Sequence, residues 1–157
     1  MKQDRFLTGI LIGIAVLVVV ALVVFFTRKD NLVYVPDDAP AGVIQDYVVA
    51  LHKADYTKAY AYLADLPNKP TFDQFQQSFF NHNVDPSSTG VEMGKTQITG
   101  KTASVALTLQ YVPSDPFSEG YSNSDYAQLV NQNGAWKIKQ MPGNFWAYDW
   151  YTTPTKP

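Results

Sequence analysis

Cysteine is missing from all 157 residues. Its absence excludes disulfides, thiolate metal centres, a cysteine nucleophile and a lipid-modified N-terminal cysteine. It does not settle the compartment, because cysteine-free chains occur on both sides of a membrane. Arginine is almost as scarce, occurring at positions 5 and 28 and nowhere beyond. From Asn31 onward, 8 lysines stand against 12 acidic residues, a net charge of −4 with histidines neutral. A chain of that balance lacks the cationic surface needed to neutralise phosphates, so nucleic acid is not an expected partner. Only two histidines occur, His52 and His82, and thirty positions separate them. No recognisable metal-ligand spacing results, and there is neither a glycine-rich phosphate loop nor a G-x-S-x-G elbow. The reading therefore expects no cofactor, no metal and no enzyme.

What the chain does have is one long apolar run, Phe6 to Phe26, FLTGILIGIAVLVVVALVVFF. As a helix it would extend roughly 31 Å, the thickness of a bilayer's hydrocarbon core. The run is longer than a signal-peptide core and ends Val24-Phe25-Phe26-Thr27-Arg28-Lys29, without a small-residue cleavage site. These features predict an uncleaved signal anchor, a single-pass transmembrane helix. Lys2 and Arg5 precede the run and Arg28 and Lys29 follow it, so the positive-inside count is nearly tied. The five-residue leading tail tips the expectation to a cytoplasmic N-terminus and an extracytoplasmic C-terminal domain in the cell membrane. Gly9 and Gly13 form a GxxxG pair, the spacing that lets two membrane helices approach, and are the candidate helix–helix contact for a homodimer or another membrane protein.

Beyond the anchor the division reads as a tail over 1–5, the span over 6–26, a linker over 27–40, one domain over 41–141 and an aromatic tail over 142–157. Val43, Ile44, Tyr47, Val48 and Leu51 recur at helical spacing behind Pro40, which suits a first turn. Asp55 is a good N-cap for a short helix with Tyr56, Ala59, Tyr60 and Leu63 on one face. Pro67 and Pro70 break the chain, and Thr71 with Gln74 spells a capping box before Phe72, Phe75 and Phe79. The second half alternates. Ala103, Val105, Leu107, Leu109 and Tyr111 interleave with polar residues, with Val91 to Ile98 as a weaker partner across Thr99-Gly100. Tyr126 to Gln132, Asn133-Gly134 and Ala135 to Lys139 read as a hairpin with a type I′ turn. Helices followed by antiparallel strands predict an α+β class, about three helices on a curved sheet of about four strands behind the anchor.

The segments ADYTKAYAYLAD (Ala54 to Asp65), ITGKTASVALTLQY and LVNQNGAWKI resemble the nuclear transport factor 2-like superfamily. Within it they are most similar to small membrane-anchored bacterial domains of unknown function. The resemblance covers roughly residues 40 to 141 and implies a cone, helices over a strongly bent sheet, often around an apolar cavity. Members include isomerases and dehydratases, ligand binders, and scaffold domains of membrane secretion or cell-wall machinery. No catalytic Asp/His/Tyr set of the enzymatic members maps onto this chain, and fold alone does not carry function.

Candidate site residues follow from both readings. Tyr60, Tyr62, Phe75, Tyr111 and Tyr121 are candidates to line a cavity, the tyrosine hydroxyls orienting a ligand. Phe145, Trp146, Tyr148, Trp150 and Tyr151 put five aromatics into seven positions, a density that suits either a segment folded back on the domain or a partner-docking surface. His52 is expected near a helix end, His82 and Asp85 in a loop, and Asp46, beside Tyr47, facing water. The leading expectation is a membrane-anchored accessory protein that binds or scaffolds other proteins of a membrane assembly. The alternative is a binding domain for a small apolar or lipid-like ligand, and a cavity-based isomerase or hydratase ranks third.

Overall fold

The computed structural model describes residues 5–27, 33–111 and 119–152, with side chains of the first helix from 8 to 24. The chain divides into two units, Met1–Leu32 and Val33–Pro157. Parts of the expected tail, linker and C-terminal segment (1–4, 28–32 and 153–157), with the flanking charges Lys2, Arg28 and Lys29, lie outside the described residues.

The first unit contains helix α1 (Arg5–Thr27). Its described side chains are exposed all round, Leu17 at 69%. Gly9 and Gly13 have nothing within 4 Å of where a Cβ would stand. The expected transmembrane helix and signal anchor over 6–26 are corrected here. Among the described residues no helix is long and apolar enough to cross a membrane.

The second unit is the α+β body: α2 (Pro40–His52), α3 (Tyr56–Ala61), α4 (Phe72–Phe80), then β1 (Thr89–Thr99), β2 (Thr102–Tyr111), β3 (Tyr121–Gln132) and β4 (Ala135–Gln140). The helices start where the local chemistry says they should. Pro40 opens α2, the Asp55 side chain accepts from the Lys58 amide at α3, and Thr71 with Gln74 closes both arms of a capping box at α4. The four strands form one antiparallel sheet in the order β1-β2-β3-β4. Asn133 and Gly134 turn β3 into β4 with φ of 54° and 87°, both positive as a type I′ turn requires. β1 carries an irregularity between Met93 and Thr96, which bends an edge strand away from flat pairing.

One face of the sheet is buried. Ala103, Val105, Leu107 and Leu109 of β2, Ala127 and Leu129 of β3, and Ile138 of β4 meet Val43, Ile44, Tyr47 and Leu51 of α2 and Phe75 and Phe79 of α4 in a single apolar core. Full burial of side chains such as Tyr47, Phe75 and Phe145 stabilises by about 1.5–3 kcal/mol each before entropy is counted. The β4 edge is covered by the stretch after α3. The Ile138 amide donates to the Tyr62 carbonyl and the Ala64 amide to the Ile138 carbonyl, both at 2.8 Å, so the middle of that edge is already paired.

Residues 33–38, read from sequence as linker, belong to this body. The Val35 amide donates to Asp46 Oδ1 at 2.8 Å, and the Tyr34 ring lies under Lys58 Nζ at 3.1 Å from its centroid. Gly42 permits the approach, because a Cβ there would overlap the Pro36 carbonyl oxygen. Asp46 is therefore not facing water as expected; it is 3% exposed, and its Oδ2 accepts from the Tyr62 hydroxyl at 3.2 Å. Its place one residue before Tyr47 suggested solvent, but the chain arriving from Val33 covers that side of α2.

Candidate functional site

Residues 141–152, after β4, do not trail away. Met141, Phe145, Trp146, Ala147 and Trp150 are buried, and the segment is tied down at several points. Tyr47 Oη donates to the Phe145 carbonyl at 2.8 Å, and Tyr151 Oη donates to the Ala64 carbonyl at 2.6 Å. The Tyr151 amide donates to the Asn68 carbonyl at 3.1 Å, and Trp150 Nε1 donates to Ser78 Oγ at 3.3 Å. Two backbone turns, Phe145 N–H to Pro142 and Trp150 N–H to Ala147, fold it compactly. Tyr151 adopts a φ of 61°, a left-handed conformation uncommon for a bulky residue and held here by its paired amide and hydroxyl.

Within this segment the aromatics divide. Phe145 is wholly buried beneath it, and Trp150 packs its ring 4.9 Å from Phe75 and 5.0 Å from Trp146. Trp146 stacks nearly parallel on Tyr151, 5.6 Å apart at 9°. Tyr148 points the other way and is 92% exposed. Trp146, Tyr148, Trp150 and Tyr151 together line an open groove of about 510 Å³, with Leu66 and Met141 in its apolar wall and Lys139 on its rim. On the far side of Trp150 a second recess of about 390 Å³ takes walls from Lys69, Gln74 and Asp149. Burial pushes the Lys69 ammonium below the usual lysine range, and the group reaches the Leu63 carbonyl and lies 4.7 Å over the Tyr60 ring. The arrangement is rigid aromatic surface with polar groups at its border, the composition of protein interfaces.

The residues expected to line a cavity fall into two sets. Tyr60 and Phe75 pack with Phe72, Phe79 and Trp150, and Tyr60 Oη donates to the Pro70 carbonyl at 2.8 Å. Tyr111 stacks on Tyr121 at 4.4 Å and donates to Asn144 Oδ1, which belongs to a chain running on to Thr89. Tyr121 is exposed. Tyr62 is buried and committed to Asp46. Among the acid–base candidates, Asp46 spends both oxygens on hydrogen bonds, whereas His52, His82 and Asp85 are exposed and line one pocket distinct from the aromatic groove. Among the described residues no group of three or more His, Asp or Glu side chains is placed to hold a metal ion. The sequence reading missed the groove as a geometric object and the contribution of Leu66 and Lys139. Nothing local to either residue signals it.

Three phenols, those of buried Tyr47 and Tyr62 and of partly buried Tyr151, should respond to alkali together. Burial raises the hydroxyls of Tyr47, Tyr62 and Tyr151 well above the ordinary tyrosine value, with Asp46 adding to the effect at Tyr62. A group that holds its proton more tightly when folded contributes stability that is complete below its unfolded value, about 10, and lost as pH climbs toward the folded value. The body should therefore keep its stability to about pH 10 and lose it above. Tyrosinate absorbance at 295 nm should show these rings ionising only together with loss of the far-ultraviolet circular dichroism signal. Ionisation of every tyrosine with the fold intact would contradict the burial of their hydroxyls.

With this geometry in hand, the chain is defined as an α+β protein carrying helices on one face of a four-stranded antiparallel sheet. Cystatin-like fold proteins are among its structural neighbours. A protein of unknown function with a cystatin-like fold from Nostoc punctiforme is similar at 16% identity, covering 61% of this chain and 80% of that one, with a TM-score of 0.45. An uncharacterized cystatin fold protein from Novosphingobium aromaticivorans is similar at 10% identity, over 62% of this chain and 95% of the other, with a TM-score of 0.40. A SEC-C motif containing protein from Rhodopseudomonas palustris is similar at 10% identity, over 66% and 77%, with a TM-score of 0.49. At those values the likenesses carry no functional inference. No protein-family model matches the chain, and no curated protein matches it.

Proposed function

We propose that this chain is a non-enzymatic accessory protein that binds another protein, and that it works at the extracytoplasmic face of a cell membrane. The observation that carries the docking reading is the groove in which Trp146, Tyr148, Trp150 and Tyr151 converge, with Tyr148 almost wholly in solvent. A large exposed aromatic beside a fixed aromatic floor is the form of an interface anchor. The occupant it suits is an extended segment of a partner protein carrying apolar or proline side chains, which stack on aromatic walls while Lys139 meets its carbonyl or carboxylate groups.

Tyr148→Ala tests this directly. Removing a side chain that is 92% exposed should leave the unfolding midpoint unchanged within about 0.5 kcal/mol. Binding should fall by about 2 kcal/mol, roughly thirtyfold, if Tyr148 is an anchor. Gentle detergent extraction of full-length protein with crosslinking should recover a stoichiometric partner from wild type and little from the variant. A clean monomer in both preparations, or equal recovery from both, would sink the proposal.

A further inference from the structure

The two histidines, thirty positions apart in sequence, arrive at one place. His52 comes from the end of α2, His82 from the turn after α4, and Asp85 and Ser87 from the connection to β1; all four line a pocket of about 470 Å³. Its floor is apolar: Leu51, Phe79 and Val84 are buried there, and the Tyr56 ring stacks on Phe79 at 5.1 Å. That volume and that division, greasy floor and polar rim, fit a small molecule.

The rim is oriented by the backbone. His52 Nδ1 lies 2.9 Å from the Val48 carbonyl. A carbonyl only accepts, so Nδ1 carries the proton, and in the neutral ring Nε2 keeps its lone pair. His82 sits at φ 56° just past α4, its amide donating to the Phe79 carbonyl, and the Val84 amide to Ser78 fixes the exit of that turn. Asp85 spends its Oδ1 on the Ser87 amide at 2.9 Å. Hydrogen bonds from Ser87, with His82 nearby, hold this carboxyl below the usual carboxylate range. The titratable groups facing the pocket are therefore His52 from α2, Tyr56 from α3, His82 from the turn and Asp85 from the connection to β1.

We propose that this pocket binds a small amphipathic carboxylic acid, its apolar part on Leu51, Phe79 and Val84 and its carboxylate between the His52 and His82 rings, and that binding strengthens as the rings gain protons. With both rings neutral, the pocket's formal charge is the single negative charge of Asp85, and His52 Nε2 offers a lone pair that repels a carboxylate. Protonation turns Nε2 into a donor and brings two positive charges against the one negative charge, which Ser87 already engages.

The experiment uses the full chain in mild detergent, histidine Cε1–Hε1 resonances, and phenylacetate as the probe at about pH 5.5 and about pH 8. Saturable shifts of both histidines at the lower pH are expected, with affinity at least about tenfold weaker at the higher one. Acetate, which has no apolar part, should bind at least about tenfold more weakly than phenylacetate. The double variant His52→Gln, His82→Asn, which keeps a residue tolerant of positive φ at 82, should bind weakly and without pH dependence. Silent histidine resonances, equal affinity at the two pH values, or equal binding of acetate would each overturn the assignment. A protonated-amine probe binding in place of the acid would overturn its sign.

Discussion

Trp150→Ala is expected to destabilise the body by about 3–5 kcal/mol, the range for deleting a large buried aromatic. Trp150 is 5% exposed and closes the core from the C-terminal side. Its ring packs against Phe75, Phe79 and Trp146, and its Nε1–H is the donor to Ser78 Oγ. Truncation leaves a cavity that Phe75, fixed among Tyr60, Phe79 and the helix cap, has little room to fill. Against a typical total stability of about 5–15 kcal/mol, a loss of that size takes most of a modest margin. Urea unfolding of full-length protein in mild detergent, followed by circular dichroism, should show the midpoint falling sharply at unchanged slope. Trp150→Phe should recover most of the loss, keeping the packing and giving up the hydrogen bond to Ser78. A change below about 1 kcal/mol for the alanine variant would mean that the C-terminal segment is not part of the core. The same substitution removes one wall of the aromatic groove, so only Tyr148→Ala separates docking from folding.

Asp46→Ala should cost about 3 kcal/mol through a different term. The side chain is buried at 3% exposure and satisfies two donors, the Val35 amide and the Tyr62 hydroxyl. Alanine leaves a buried phenol without its acceptor and frees the incoming chain at Val35, where Tyr34 is otherwise clasped beneath Lys53 and Lys58. Asp46→Asn keeps the volume and one acceptor oxygen for Val35, so its loss should be smaller, confined to the bond with Tyr62. Hydrogen exchange at the Val35 amide is the sharper readout: fast in the alanine variant, protected in wild type and largely protected with asparagine. If the Val35 amide exchanged at one rate in all three proteins, the hydrogen bond would not be holding that segment.

Much of the body was legible because its signals are local. Thr71 with Gln74, Asp55 before Tyr56, and Asn133-Gly134 each act within three or four residues of themselves, and each stands in the fold as read. The β2 alternation held for a similar reason, since its residues answer to one buried face. Asp46 was misread because its burial depends on Val35, eleven residues away, and on Tyr62, sixteen away, and neither contact has a sequence signature. The apolar run was read as long enough to cross a lipid core, whereas among the described residues no helix meets that requirement.

By itself, then, the amino-acid order determined the α+β body, its caps and turns, and the absence of thiol chemistry and of a cationic surface. Tertiary structure alone decided which aromatics became floor and which stayed in solvent, burying Phe145 and leaving Tyr148 bare within one seven-residue stretch. It also brought His52 and His82 to one pocket. The physical reason is the same in both cases: periodicity and propensity act over a few residues, while a groove or a pocket forms from side chains whose neighbours are fixed only once the helices pack on the sheet.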